Sequence, residues 1–273
     1  MSELFELITD ANGVARLTLN RPEVHNAFNA ELIAALSERF DALAAEAPRV
    51  LVLTGSGRSF SAGADLDWMR SMAEAGETAN REDALRLAGM FRKLDELPCP
   101  TIARINGPAF GGGVGLISCC DIAIAAEHAT FGLTEVRLGL IPATIAPFVI
   151  ERIGMRNARR YMLTGERFDA TQAQRIGLIH ECCEREELDS AFKRVVDGLL
   201  AGGPIAVAEA KRLVRSVGRN DQDSAGLDES TAEWIARMRV GAEGQEGLQA
   251  FLQKRRPAWT QLDRDPSDEE SGR

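Results

Sequence analysis

Ala15, Leu17 and Leu19 alternate with Arg16, Thr18 and Asn20, the period of a strand with one face in a core and the other toward water. After Arg21-Pro22 the period changes. Leu32, Ile33, Leu36, Phe40 and Leu43 fall on one face of a helix, with Asn29 as its N-cap. Val50-Leu51-Val52-Leu53, stopped by Thr54-Gly55, is apolar without alternation, as in a strand covered on both sides. The grammar then repeats: a strand at Thr101-Ile102-Ala103-Arg104-Ile105, a turn at Asn106-Gly107-Pro108, an apolar helix opened by Gly111-Gly112-Gly113 and ending near Asp121, and a strand over 122–125. Strands alternating with helices predict an α/β fold, and two strand–glycine turn–helix units about 50 residues apart suggest a spiral of similar units.

From Pro204 the pattern is helical, over 206–217, 230–239 and 246–255, with Pro257 as a stop. The expected organisation is a core over 1–203, a helical segment over 204–260 and a polar tail over 261–273. So small a helical cluster is expected to need a partner surface.

Composition narrows the function classes. With 273 residues, 45% hydrophobic and 27% charged, the chain can bury a core without disulfide or metal staples, and disordered or collagen-like architectures are excluded. A net charge of −9 gives no footprint for nucleic acid or an anionic membrane. The charge-free stretches between Arg104 and Asp121 and between Arg137 and Glu151 are broken by Gly or Pro and too short to span a bilayer. Glu3 and Glu6, with no basic start before an apolar run, count against a secretory leader. The five cysteines form neither a disulfide framework nor a zinc spacing, which points to reduced thiols and a cytoplasmic location. His128 and His180 lack acidic or cysteine partners at metal spacing, so no metal is expected.

Candidate chemistry lies in three segments. Ser59-Phe60-Ser61-Ala62-Gly63-Ala64-Asp65-Leu66 and Phe110-Gly111-Gly112-Gly113-Val114-Gly115 are glycine turns leading from a strand into a helix. Such turns present unpaired N–H groups at the positive end of a helix dipole, suited to an anion or a developing oxyanion. Neither has the phosphate-loop spacing, and tight turn packing alone accounts for either. The third segment sets Glu135 in an apolar stretch, where a carboxylate must be paired, protonated or used. A salt bridge with Arg137 is the plain reading; a general acid/base aimed into a pocket is the functional one.

Together these segments resemble the crotonase superfamily, the enoyl-CoA hydratases and isomerases. The resemblance runs in order through Asn20-Arg21-Pro22 with Asn26-Ala27, Ala62-Gly63-Ala64-Asp65, Asn106-Gly107 with Gly111-Gly112-Gly113, and Glu135 with Gly139 and Pro142. It continues through Leu163-Thr164-Gly165, Gly177-Leu178, Glu246-Gly247, Ala250-Phe251 and Lys254-Arg255, over nearly the whole chain. It implies a ββα spiral core in the α/β class, a helical C-terminal trimerisation segment forming a homotrimer or dimer of trimers, and an acyl-CoA thioester as substrate. Coenzyme A is then part of the substrate and no separate cofactor is expected.

Residue by residue, the resemblance puts the oxyanion-hole N–H groups on Ala62 and Gly112 and a catalytic carboxylate on Glu135. It puts substrate contacts on Glu23, Val24, His25 and Ala27, on Ala62, Ala64, Asp65 and Leu66, and on Gly111, Gly112, Thr134 and Glu135. Lys254 is expected near the adenine phosphate of a neighbouring subunit, and Asp65 as a helix cap. The family's other glutamate should stand three residues beyond Gly112, where this chain has Gly115. Hydration of a 2-enoyl-CoA is the leading reading. One carboxylate also suits isomerisation, moving a proton between C2 and C4. A non-catalytic acyl-CoA binder is the third alternative, opposed by Glu135 together with both turns. Strings such as Ala64-Asp65-Leu66-Asp67-Trp68-Met69 look like a bacterial methylglutaconyl-CoA hydratase branch, with a role in leucine or acyclic-terpene breakdown. The distal carboxylate of such a substrate calls for a cation; Arg70 and Arg137 are nearest in sequence, and the segment 68–90 is expected to shape the acyl pocket.

Overall fold

A computed structural model describes residues 4–218 and 224–260. The main sheet has six strands in the order β1 (Phe5–Thr9), β2 (Val14–Leu19), β3 (Val50–Gly55), β4 (Thr101–Ile105), β6 (Ile122–Ala126) and β9 (Glu181–Cys183). β1 and β2 pair antiparallel, and all later pairings in this sheet are parallel. A second sheet of three strands runs β5 (Ala109–Phe110), β7 (Thr130–Gly132) and β8 (Arg167–Asp169). The fold is the expected α/β class.

The apolar run in β3 follows from its central place. Leu51 and Leu53 join Leu17, Ala103 and Phe40 of α1 (Ala30–Glu46) in the larger core. Val50 and Val52, pointing the other way, join Ile102, Ile124 and Phe192 of α7 (Leu188–Ala201) in a smaller one. Helix α1 buries the five apolar residues its periodicity picked out, and Asn29 caps it by accepting from the Leu32 N–H at 2.9 Å. The 68–90 segment forms α2 (Leu66–Glu74) and most of α3 (Glu77–Asp95), and α3 sends Met90, Phe91 and Leu94 into the larger core. Helix α4 (Gly112–Cys119) follows β5, α5 (Ala146–Thr164) precedes β8, and α6 (Ala170–Arg175) follows it.

The chain ends in α8 (Pro204–Gly218), α9 (Ser224–Val240) and α10 (Ala242–Leu252), of which only Ala250 is buried among the described residues. Polar clasps hold them to their own core. Lys211 on α8 reaches Asp121 Oδ2 at 2.7 Å and the Cys99 carbonyl at 3.0 Å. Glu243 accepts from the Ile205 and Ala206 N–H groups that open α8. The Arg49 guanidinium donates to the carbonyls of Leu200, Gly202 and Trp259 at 2.9, 2.8 and 3.2 Å. The polar tail expected over 261–273 lies outside the described residues. Among the described residues, no helix is long and apolar enough to cross a membrane.

Candidate active site

The two glycine turns meet. A Cβ placed on Gly63, whose φ is +88°, would stand 2.8 Å from the Phe110 carbonyl oxygen and 3.5 Å from the Gly112 nitrogen, and one on Gly113 would stand 2.5 Å from the Ser61 carbonyl oxygen. Only residues without side chains permit that approach. The Phe110 N–H donates to the Ser61 carbonyl at 3.0 Å and stitches the turns together.

The loop that follows β2 lies along the first turn. The Ala62 N–H donates to the His25 carbonyl at 2.9 Å, the Phe28 N–H to the Gly63 carbonyl at 2.6 Å, and the Asp65 N–H to the Phe28 carbonyl at 2.8 Å. The Gly63 N–H is directed at Ser61 Oγ, 3.3 Å away. Of the four N–H groups from Ala62 to Asp65, Ala64 alone has no acceptor among the described residues. This corrects the expectation for Ala62, whose N–H is committed inside the fold, and leaves Ala64, an exposed residue, with the free donor.

On the second turn, the N–H of Gly112 opens α4 and has no acceptor among the described residues, as the first N–H groups of a helix do. Gly111, with φ of +48°, donates to the Gly132 carbonyl at 3.0 Å. That bond continues the β5–β7 pairing and brings the segment after Gly132 alongside. Glu135 starts a 3-10 turn, Glu135–Leu138, whose preceding residue is Thr134. A Cβ on Gly111 would lie 3.0 Å from Glu135 Oε1. The absence of a side chain at Gly111 is therefore what lets the carboxylate sit against the second turn.

Glu135 does not pair with Arg137. Its Oε2 is buried with no hydrogen-bond partner, while the Arg137 stem packs beside Gly165. Burial raises the carboxyl pKa above its ordinary value, and the residue's own backbone N–H opposes that rise. An unsatisfied buried acceptor costs on the order of 1–3 kcal/mol, and such groups concentrate where chemistry needs them.

Gly115, where the resemblance expects a second glutamate, is buried in α4. A Cβ there would overlap Ile145 Cγ2 and stand 3.0 Å from the Phe91 ring. Phe91 in turn packs edge-on to Phe28, with centroids 6.2 Å apart. The place of the missing carboxylate is filled by apolar side chains.

Other expected site residues divide. Glu23, His25 and Leu66 are exposed, Val24 and Thr134 half-buried. His25 Nδ1 lies 2.9 Å from Ser59 Oγ. Ala27 is buried, its N–H donating to the Val24 carbonyl and its own carbonyl accepting from Arg21, so it belongs to the fold instead of the substrate surface. Asp65 is the helix cap expected of it, and both of its carboxylate oxygens are engaged within the fold. Its Oδ1 caps α2 by accepting from the Asp67 N–H, and its Oδ2 pairs with Arg21 at 2.9 Å. Burial pushes its pKa up, but hydrogen bonds from the Asp67 N–H, the Arg21 guanidinium and the Trp68 N–H outweigh it and leave the carboxyl below the ordinary range. Lys254 is exposed just past α10, which packs chiefly on α9 and α8. Arg70 pairs with Asp67 on the surface. Sequence reasoning missed Ala64 as the free donor and Arg21 as its neighbour's partner; the signal for both lies in hydrogen bonds between distant segments.

Two N–H groups without acceptors among the described residues and a half-buried carboxylate around touching glycine turns are an arrangement suited to a developing oxyanion. Comparison with known proteins makes that chemistry specific. A profile of the enoyl-CoA hydratase/isomerase family matches residues 9–263. The chain is 44% identical to an enoyl-CoA hydratase from Shewanella pealeana of known crystal structure, with a TM-score of 0.89 over 94% of this chain and 96% of that one. It is 37% identical to Pseudomonas aeruginosa AtuE, with a TM-score of 0.90 over 95% and 100% of the two chains. A crotonyl-CoA hydratase of Syntrophomonas wolfei is 34% identical over 246 residues, 89% of this chain and 93% of its own. The chain belongs to the enoyl-CoA hydratase/isomerase family, with the crotonase fold and that family's activity on enoyl-CoA thioesters.

Proposed function

We propose that the protein hydrates a 2-enoyl-CoA with Glu135 as its proton carrier and the N–H groups of Ala64 and Gly112 as its oxyanion hole. The observation that carries this reading is that each of the two touching turns leaves one N–H without an acceptor among the described residues, at Ala64 and at Gly112, with the half-buried Glu135 carboxylate lying against Gly111. The donors polarise the thioester carbonyl, Glu135 takes a proton from water as its oxygen adds to C3, and the enolate charge gathers on the thioester oxygen. The same proton then passes from Glu135 to C2. Each such donor is worth about 3 kcal/mol of barrier.

Glu135→Gln tests it. The shape is kept and the proton shuttle removed, so thioester binding survives while turnover falls by roughly 100-fold or more. Near-native turnover in this variant would defeat the mechanism. Mass analysis of the wild-type product identifies the reaction, hydration adding one water.

The packing at Gly115 favours one second reading. With a single carboxylate, Glu135 can take a proton from C2 of a 3-enoyl thioester and return it to C4, and the product then has unchanged mass.

On the acyl group, the methylglutaconyl branch rests on sequence strings alone: Arg70 is paired with Asp67 on the surface, and Arg137 is exposed with its stem beside Gly165. The exposed loop carrying Glu23 and His25, the exposed Leu66 and a neighbouring subunit's Lys254 are the proposed CoA contacts in a homotrimer or dimer of trimers.

A further inference from the structure

Phe28 bonds to the residues on either side of Ala64, its N–H to the Gly63 carbonyl and its carbonyl to the Asp65 N–H, while the Ala64 N–H has no acceptor among the described residues. His25 and Asn26 both have left-handed backbones, with φ of 55° and 56°, a region that non-glycine residues seldom enter, though Asn and His do so more readily than most. Asn26, fully buried, accepts from the Arg21 N–H through Oδ1 and donates through Nδ2 to the Ser56 and Ser59 carbonyls, each at 2.9 Å. Besides the main-chain bonds, the Arg21 side chain joins this segment to the turn. The Arg21 guanidinium donates through Nη1 to the Ala27 carbonyl at 2.6 Å and through Nη2 to Asp65 Oδ2 at 2.9 Å. Both side chains of the ion pair are largely buried, at 14% and 11% exposure. Asp65 is the residue after Ala64, and its other oxygen fixes the start of α2.

We propose that the Arg21–Asp65 pair is a positioning device for the oxyanion hole: it fixes the direction of the Ala64 N–H by clamping the two segments between which that donor is left over. Neither side chain touches the reacting atoms. The proposal rests on the reading of Ala64 as an oxyanion donor, and a donor matters only in so far as it is aimed.

The experiment uses the full-length protein and two readouts, steady-state kinetics on crotonyl-CoA and the absorption of a bound dimethylaminocinnamoyl-CoA, whose band moves to the red when its thioester carbonyl is polarised. Asp65→Asn keeps the size and a capping oxygen but removes the charge; Arg21→Gln removes the fork; Arg21→Lys restores charge without the fork. The first two are expected to lower kcat by roughly 10- to 100-fold with KM changed less than about threefold, and to shrink the red shift. Arg21→Lys falls between them and the wild type, and the Arg21→Gln/Asp65→Asn double variant is no worse than the poorer single one, because both remove one interaction. Folding is checked by melting. Should Arg21→Gln fail to fold, Asp65→Asn and Arg21→Lys carry the test. Folded variants with wild-type kcat and an undiminished red shift would overturn the proposal and leave the pair as scaffold. A wild-type protein that turns over crotonyl-CoA but gives no red shift would instead overturn the oxyanion reading, and the positioning role with it.

Discussion

A carboxylate oxygen buried without a donor prefers to be protonated, and Glu135 shows what that means for one residue. Its pKa is raised by burial, so ionisation costs the folded protein stability at any pH above the ordinary glutamate range, and that cost vanishes as pH falls below it. Glu135→Gln is therefore expected to melt at a higher temperature than the wild type at pH 7, the difference shrinking toward pH 4, while activity is lost. In the wild type the acid limb of kcat/KM should lie above the ordinary glutamate pKa, since the base works only when ionised. Equal melting temperatures across that pH range would show that the carboxylate finds a partner. Gly115 gives the complementary case. Gly115→Ala presses a methyl group on Ile145 Cγ2 and the Phe91 ring, an overpacking expected to cost about 1–3 kcal/mol in chemical denaturation. Gly115→Glu should then lower hydration, and a clear gain in rate would mean that the pocket can open for a second carboxylate. Both positions stood out in the sequence, Glu135 as a charge among apolar neighbours and Gly115 as a departure from a pattern. What fills the space beside Gly115, and which of Ala62 and Ala64 keeps a free N–H, were not legible, because the deciding partners come from distant parts of the chain.

Among the elements, legibility followed the clarity of the periodicity. Helix α1 carries a continuous apolar stripe and β3 an apolar run, and both fall where the pattern put them. Helix α3 was not legible as a helix. Its first half carries Glu77, Arg81, Glu82, Asp83 and Arg86, its core residues Met90, Phe91 and Leu94 crowd the far end, and Asp83 is itself buried. Strand β5 has two residues, too few for any period to show, yet its pairing with β7 brings Glu135 to the glycine turn. At this scale Arg49, just before β3, ties α7, the turn after it and the residues past α10 through three carbonyls. Bonds from a charged donor contribute about 1.5–3 kcal/mol, so Arg49→Ala should destabilise by roughly that amount, with faster amide exchange confined to α8–α10. Unchanged exchange there would mean that the Lys211 and Glu243 clasps suffice.

For the whole molecule, the apolar surface left exposed is the informative quantity. Leu138, Leu140, Ile141 and Leu163 lie open around the segment that carries Glu135, and Val240, Phe251 and Leu252 on the last two helices. Large apolar side chains gathered in this way mark association surfaces. The helical segment after Pro204 was expected from its composition to need a partner, and the clasps to its own core still leave its outer faces bare. The protein in dilute solution is expected to have a mass three or six times the 29.6 kDa of one chain. Deleting residues from Glu246 onward should weaken both assembly and CoA-thioester binding, whereas a single-chain mass for the full-length protein would rule out the trimer.

The apolar filling beside Gly115 also has a stereochemical consequence. If Glu135 alone both receives the proton of water and hands it on, the hydroxyl and the hydrogen must arrive on the face of the double bond that this carboxylate occupies. Hydration run in heavy water should accordingly place deuterium at C2 and oxygen at C3 by syn addition, yielding one diastereomer from each geometric isomer of the substrate. Proton NMR coupling across the C2–C3 bond reads this directly, and an anti product would demand a second proton source on the opposite face.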